Sequence, residues 1–104
     1  MDWSIKIWED RSSGDYKNTY FSYKDGCAQF FIHDFAGGME YEFWVDLSQE
    51  DTVVLLKKLG LTGLNAKEVR PIVLEKIPNS QSKFKELCKS FGLNPKSGRY
   101  SRIE

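Results

Sequence analysis

The chain has 104 residues, of which 40% are apolar, 14% aromatic and 29% charged, which is the composition of a globular protein and the length of one domain. Fifteen basic residues balance fifteen acidic ones, and this balance excludes a strong overall field of the kind that drives nonspecific binding to nucleic acid or membranes. The charges are unevenly distributed, because residues 1–52 carry a net charge of −7 and the remainder carries +7.

The first residues, Met1–Ser4, lack the basic and apolar regions of a secretory signal. No apolar run approaches the ~20 residues that a membrane span needs, so we expect a cytoplasmic protein without membrane contact. Cys27 and Cys88 lie far apart within apolar patterns. We therefore expect both to be reduced core thiols, and not a disulfide or a metal-binding pair.

Residues 1–47 predict an antiparallel meander of four strands. Apolar residues alternate with polar ones in the first segment, which is the period of a half-buried strand. The Asp25-Gly26 pair favours a tight hairpin because both residues tolerate positive φ, and Ala36-Gly37-Gly38 provides a further reversal. The four expected strands lie at Trp3–Ile7, Tyr16–Tyr23, Cys27–Phe35 and Met39–Leu47.

Residues 48–92 predict about three helices packed on one face of that sheet. Ser48-Gln49-Glu50-Asp51 is a capping start, and Gly60 occupies the position of a left-handed helix end. A second start at Asn65 is followed by Pro71, which should break the helix near Arg70 and begin a longer piece that reaches Ile77. The third helix follows from apolar residues at helical spacing, namely Phe84, Leu87, Cys88 and Phe91.

The expected fold class is therefore α+β, with residues 1–104 forming a single domain. Residues 1–47 would form the antiparallel sheet, and residues 48–92 would form the helices. Residues 93–104 are rich in Ser, Gly and basic residues, so we expect either a basic tail or a short edge strand near Tyr100. The first strand has an exposed edge that could pair with another chain, and the oligomeric state stays open.

Candidate groups for catalysis are scarce. His33 is the only histidine, and it alternates with Phe31 and Phe35, so we interpret it as a core-facing structural residue. One histidine and two distant cysteines provide no ligand pair at the spacing that a zinc site needs. We therefore predict no catalytic residue, no cofactor and no metal, and expect that the protein is not an enzyme.

The expected pairing of the third and fourth strands predicts a docking face. If Phe35 lies opposite Met39, then Phe30 lies beside Trp44 on one side of the sheet, with carboxylates around both rings. Burying unpaired carboxylates is costly, whereas aromatic anchors surrounded by acids suit a cationic protein partner. The predicted partner-binding residues are Phe30, Asp34, Glu40, Glu42, Trp44 and Asp46.

A resemblance to a known family supports the same interpretation. The run Glu42-Phe43-Trp44-Val45-Asp46-Leu47, followed by Ser48-Gln49-Glu50-Asp51 and the helix Val54–Gly60, resembles small bacterial immunity proteins of contact-dependent growth inhibition and related polymorphic toxin systems. The similarity extends to the helix that contains Phe84 and Phe91. It implies a non-enzymatic inhibitor inside the producing cell, which binds the C-terminal domain of a cognate toxin, often a nuclease, and neutralises it by occlusion.

Two other functions remain open. A small nucleic-acid-binding or regulatory protein would use the basic C-terminal half, at Lys83, Lys85, Lys89, Lys96, Arg99 and Arg102. Stacking aromatics are not interleaved with these residues apart from Tyr100, so we do not expect direct nucleic-acid binding. A metal-dependent nuclease would instead place Mg²⁺ among the carboxylates of Asp34, Glu40, Glu42 and Asp46.

Overall fold

The computed structural model describes residues 2–12 and 14–103. It is an α+β structure in which five antiparallel strands form one sheet in the order β1-β2-β3-β4-β5 and three helices lie between β4 and β5 in the sequence. The elements are β1 (Trp3–Ser12), β2 (Asp15–Lys24), β3 (Cys27–Ala36), β4 (Met39–Asp46), α1 (Gln49–Leu59), α2 (Ala66–Lys76), α3 (Gln81–Ser90) and β5 (Lys96–Ile103). The expected α+β class is confirmed.

The sheet has one strand more than the four-stranded meander expected from the sequence. The basic C-terminal segment forms β5, which pairs antiparallel with β4 from Asp46 opposite Lys96 to Met39 opposite Ile103. Without β5, β4 would expose a full row of backbone donors and acceptors at the edge of the sheet. Of the two alternatives for residues 93–104, the structure therefore has the edge strand, and it is longer than expected.

Two tight turns set the register of the central strands. The Asp25-Gly26 turn pairs Lys24 with Cys27, which confirms the predicted hairpin between β2 and β3. Gly37 and Gly38 both have positive φ, at 60° and 79°, and together form a two-residue turn that pairs Ala36 with Met39. The expected pairing of Phe35 with Met39 is therefore wrong, and Phe35 lies opposite Glu40.

The hydrophobic core lies between one face of the sheet and the three helices. Phe30 of β3 is fully buried there, and its ring stacks on Phe84 of α3 with a centroid distance of 4.8 Å and an interplanar angle of 12°. Phe21 of β2 also contacts Phe84, at 5.8 Å between centroids. The other fully buried core side chains include Val45, Leu55, Val69, Val73 and Cys88.

Helix α1 agrees with its predicted boundaries because its signals are local. The Ser48 side chain accepts a hydrogen bond from the Asp51 N–H at 3.1 Å, so one of the free amides of the first turn is satisfied. Gly60 adopts a left-handed conformation with φ of 75°, and the Leu61 N–H donates to the Leu56 carbonyl at 2.8 Å. This is the Schellman closure that the sequence predicts.

Helix α2 is continuous through Pro71, so the predicted break near Arg70 is wrong. Asn65 and Glu68 form a reciprocal capping box, in which each side chain accepts a hydrogen bond from the other residue's backbone N–H. The proline removes one bond to the Lys67 carbonyl. Because Lys67 and Pro71 are both exposed, water can satisfy that carbonyl, and the helix tolerates the loss.

The two cysteines differ in burial. Both are free thiols, and Cys88 lies in the core on α3, as expected. Cys27 is only half-buried at the start of β3, so its assignment as a core thiol is wrong. No helix in the described part of the chain is long and apolar enough to cross a membrane.

Candidate docking face

One face of the sheet carries no helix, and we call it the open face. The helices pack on the face that holds Phe21, Phe30 and Val45, so residues of opposite parity on every strand point away from the core. Six aromatic side chains with half-buried or exposed rings lie on the open face: Tyr16, Tyr20, Phe31, Phe35, Trp44 and Tyr100. A sheet face with one exposed ring and five half-buried rings is typical of a binding surface.

An aromatic row crosses the sheet at its centre. Tyr20, Phe31 and Trp44 lie side by side on β2, β3 and β4, and the Tyr20 and Phe31 centroids are 6.3 Å apart. Lys6 of β1 extends the row, with its Nζ 5.9 Å from the centroid of the Tyr20 ring. On the far side, Gly98 of β5 lies opposite Trp44, so the indole packs on bare backbone.

A second aromatic group lies four residues further along the strands. Tyr16 stacks on Phe35 with centroids 5.5 Å apart and an interplanar angle of 12°. The same tyrosine meets His33 edge-on, at 5.3 Å between centroids. His33 is therefore on the open face and not in the core, which corrects its assignment from the alternation of β3.

Three carboxylates share the open side of β4 with Trp44, because every second residue of this strand points to that side. The Glu40 Oε1 lies 3.0 Å from the His33 Nε2, and the Asp46 Oδ1 accepts a hydrogen bond from the Gln29 amide at 2.8 Å. Glu42 lies between His33 on β3 and Tyr100 on β5. It is half-buried, and no described side chain hydrogen-bonds to it or forms an ion pair with it.

Basic side chains lie toward the two edges of the open face. On β1, Glu9 accepts from Lys6 at 3.5 Å and from Arg11 at 3.1 Å. The hydrogen bond from Arg11, with a further contribution from the Lys6 charge, holds the pKa of Glu9 below its ordinary value. On β5, Lys96 lies opposite Asp46. The acids of the open face are thus concentrated on β4, and the basic residues lie on the edge strands β1 and β5.

The structure divides the six predicted partner-binding residues between two faces. Glu40, Glu42, Trp44 and Asp46 share the open side of β4. Phe30 is fully buried under α3, and Asp34 lies on the helix-covered face, in a cleft that Lys17 and Ser80 also line. Placing Phe30 beside Trp44 was wrong because the two-residue turn shifts the pairing by one position, so that Phe31 takes that place.

The sequence interpretation missed the aromatic residues that complete this face, namely Tyr16, Tyr20, Phe31, Phe35 and Tyr100. Phe31 and Phe35 follow from the paired glycines at positions 37 and 38, and Tyr16 and Tyr20 follow from these glycines together with the Asp25-Gly26 turn, which pairs β2 with β3. Two adjacent glycines favour a two-residue turn in which both have positive φ, and this turn fixes the β3 to β4 register. Tyr100 could not be found in this way because its place depends on the pairing of β5.

The residues of the two alternative sites, the Mg²⁺ site and the basic nucleic-acid site, do not come together in the fold. Asp34 lies on the opposite side of the sheet from Glu40, Glu42 and Asp46, so these four carboxylates cannot surround one Mg²⁺ ion. Within residues 2–12 and 14–103, no group of three or more possible ligands from His, Cys, Asp and Glu is arranged to hold a metal. The basic residues are dispersed as well, because Lys85 and Lys89 lie on α3 and Lys96 lies on the open face.

Comparison with known proteins identifies no relative of this chain. No protein-family model matches it, no curated protein matches it, and no solved structure matches it. A function therefore has to be inferred from the side chains that the fold presents.

Proposed function

We propose that this protein is an immunity-type inhibitor, which binds a basic toxin domain through the open face and neutralises it by occlusion. The observation that carries the proposal is the open face itself, on which no helix covers the half-buried aromatic row and the carboxylates of Glu42 and Asp46 lie beside it. Aromatic anchors supply most of the affinity at protein interfaces, and charges near them set the choice of partner. The choice of the immunity class comes from the resemblance of residues 42–60 noted in the sequence, which no family model matches.

The size of the open face suits a protein partner. Five strands with a spacing of about 4.8 Å and a length of about eight residues cover roughly 25 by 25 Å. This footprint is comparable with the ~800 Å² that each partner buries in a standard interface. The rings are already packed against their neighbours, so binding orders few additional side chains and costs little conformational entropy.

The charge of the open face suits a nuclease. A protein that binds phosphate backbones needs a basic surface, and that surface is complementary to the accessible carboxylates of Glu42 and Asp46, whereas Glu40 is buried against His33. Occlusion requires no bond to be made or broken by the inhibitor. The only histidine, His33, has partners on two sides, because Glu40 contacts its Nε2 and Tyr16 meets its ring.

The test is a binding measurement with the C-terminal domain of a toxin encoded beside this gene. The dissociation constant would be measured by calorimetry for the wild type, Trp44→Ala and Glu42→Lys. Loss of an anchor typically costs about 2 kcal/mol or more, so we expect binding weakened at least ~30-fold in each variant. Leu74→Ala and Glu75→Lys change exposed residues of α2 and serve as matched controls. Equal affinity in all four variants would refute the proposal.

Single-stranded RNA is the second candidate, because the aromatic row resembles the stacking surface of sheet-based RNA-binding modules. Three carboxylates beside the row oppose a phosphate backbone, which is why we rank RNA second. Anisotropy with a random RNA at two salt concentrations distinguishes the two. Salt-sensitive binding that is lost in Trp44→Ala would support RNA binding at the open face. Binding that is retained in Trp44→Ala but lost in the double variant Lys85→Glu/Lys89→Glu would place the RNA on α3.

A further inference from the structure

The pairing of β4 with β5 contains one unmatched acid. In the backbone register Asp46 lies opposite Lys96 and Glu40 lies opposite Arg102, and the Glu40 carboxylate contacts His33. Glu42, between them, lies opposite Tyr100. On its other side, Glu42 lies opposite His33, whose Nε2 is engaged by Glu40. In this register, Glu42 is thus the open-face acid of β4 that lies opposite no basic residue of β5.

Two rings lie next to the Glu42 carboxylate. Trp44 is the next open-face residue on β4, and its indole packs over Gly98, toward β5. Tyr100 follows Gly98 by two positions on the same side of β5 and is 48% exposed. A half-buried carboxylate is therefore flanked by one ring held against the backbone and one accessible ring.

We infer that this position binds an arginine side chain of the partner protein, with the guanidinium on Glu42 and its plane against Trp44 or Tyr100. The inference rests on the proposed function, because it names the chemical group by which the partner is recognised. A guanidinium can form two parallel hydrogen bonds to one carboxylate and can stack on an aromatic face at the same time. A lysine ammonium is more strongly hydrated and has no plane to stack, so it fits the same position less well.

The experiment compares two probes of equal charge, a hexa-arginine peptide and a hexa-lysine peptide. Binding would be followed by NMR through the side-chain N–H signals of the three tryptophans, with the Trp44 signal assigned by Trp44→Phe. We expect the arginine peptide to bind at least ~5-fold more tightly than the lysine peptide and to shift the Trp44 signal while leaving that of the buried Trp3 unchanged. Equal affinity for the two peptides would overturn the inference.

Variants of the same size separate the carboxylate from the fold. Glu42→Gln keeps the shape of the side chain and should remove the preference for arginine, whereas Glu75→Gln on α2 should preserve it. Tyr100→Leu should reduce the preference, and Tyr100→Phe should retain it because the ring remains. A preference for arginine that persists in Glu42→Gln would overturn the inference.

The toxin domain used above distinguishes failure of this inference from failure of the proposed function. If the toxin domain binds and Trp44→Ala abolishes binding, but Glu42→Gln leaves the dissociation constant unchanged, the arginine position is wrong and the inhibitor function stands. If the arginine preference is present and depends on Glu42, but no toxin domain binds, the proposed function is wrong and the recognition of arginine stands.

Discussion

The indole of Trp44 occupies the space above Gly98 that a side chain at residue 98 would fill. These residues lie opposite each other on β4 and β5, so the only glycine of β5 lies where the largest side chain of β4 crosses the strand pair. The ring thus lies against the backbone of β5 at Gly98. The position of the Trp44 ring on the open face therefore requires that residue 98 has no β-carbon.

Gly98→Ala tests this relationship. A methyl group would collide with the Nε1, Cε2 and Cζ2 atoms of Trp44, so the indole has to rotate away from the sheet. We expect a red-shifted Trp44 emission, a loss of stability of about 1–3 kcal/mol and weaker partner binding. Emission would be compared with that of Trp44→Phe to subtract the other tryptophans. Ser97→Ala, at the adjacent exposed position, is the control, and an unchanged Trp44 spectrum in Gly98→Ala would contradict the prediction.

Phe30 and Phe31 are adjacent in sequence and lie on opposite faces of β3. Phe30→Ala removes a fully buried ring that stacks on Phe84, so we expect a loss of about 3–5 kcal/mol in the free energy of unfolding. Phe31→Ala removes a half-buried ring from the aromatic row, so a smaller loss of stability and a larger loss of partner binding are expected. Urea denaturation measures the stability of both variants, and the binding assay measures their affinity for the partner. Equal losses of stability would contradict the placement of Phe30 and Phe31 on opposite faces of β3.

Two buried threonines should respond in opposite directions to the same substitution. The Thr19 hydroxyl is fully buried on β2 without a hydrogen-bond partner among the described residues, so Thr19→Val should stabilise the protein by about 1 kcal/mol. The Thr52 Oγ1 accepts a hydrogen bond from the Ala28 N–H at 2.8 Å. Thr52→Val leaves that amide unpaired and should cost about 1–3 kcal/mol. Thermal unfolding measures both, and a common sign would refute the assignment.

The reactivity of Cys88 should depend on unfolding. Burial, with a smaller contribution from the Asp51 charge, raises the pKa of the Cys88 thiol from its ordinary value to about 11. The folded state thus holds this proton more tightly than the unfolded state, and the associated stability is lost as the pH rises from about 9 through about 11.

Thiol titration of the native protein at pH 8 should therefore modify Cys27 and leave Cys88 unmodified until denaturant is added. Cys27→Ala leaves Cys88 as the only thiol and provides the control. Rapid modification of Cys88 in the folded Cys27→Ala protein would contradict its burial.

Local signals were sufficient to predict much of the fold. The Ser48 cap and the Gly60 end of α1 depend on residues a few positions apart, and both are correct. The shared face of Glu40, Glu42, Trp44 and Asp46 follows likewise from the two-residue period of one strand. Such features need no knowledge of what packs against them.

The orientation of β3 could not be obtained from its own pattern. Phe30 and Ile32 point into the core, whereas Phe31 and Phe35 lie on the open face, so both parities of this strand are apolar. Its alternation therefore does not identify the core side. The turn at Gly37-Gly38 determines which residues of β3 lie on the same face as Trp44. A shift of the β3–β4 register by one residue would place the opposite set of β3 side chains on that face.

Long-range pairing explains the additional strand, and local helix geometry explains the continuity of α2. β5 has little apolar alternation, and it becomes a strand because β4 offers an unpaired edge that is distant in sequence. Pro71 is tolerated within α2 because the capping box fixes the start of the helix and its exposed side faces water.

Four strands succeed one another through short turns, but β5 reaches β4 only after residues 47–95, which contain all three helices. Closing this loop is the entropically most expensive pairing of the sheet. Until β5 has been synthesised and paired, Gly98 does not lie against the Trp44 indole and Tyr100 does not lie beside Glu42. A partner that recognises these groups together would engage only molecules whose last strand has docked.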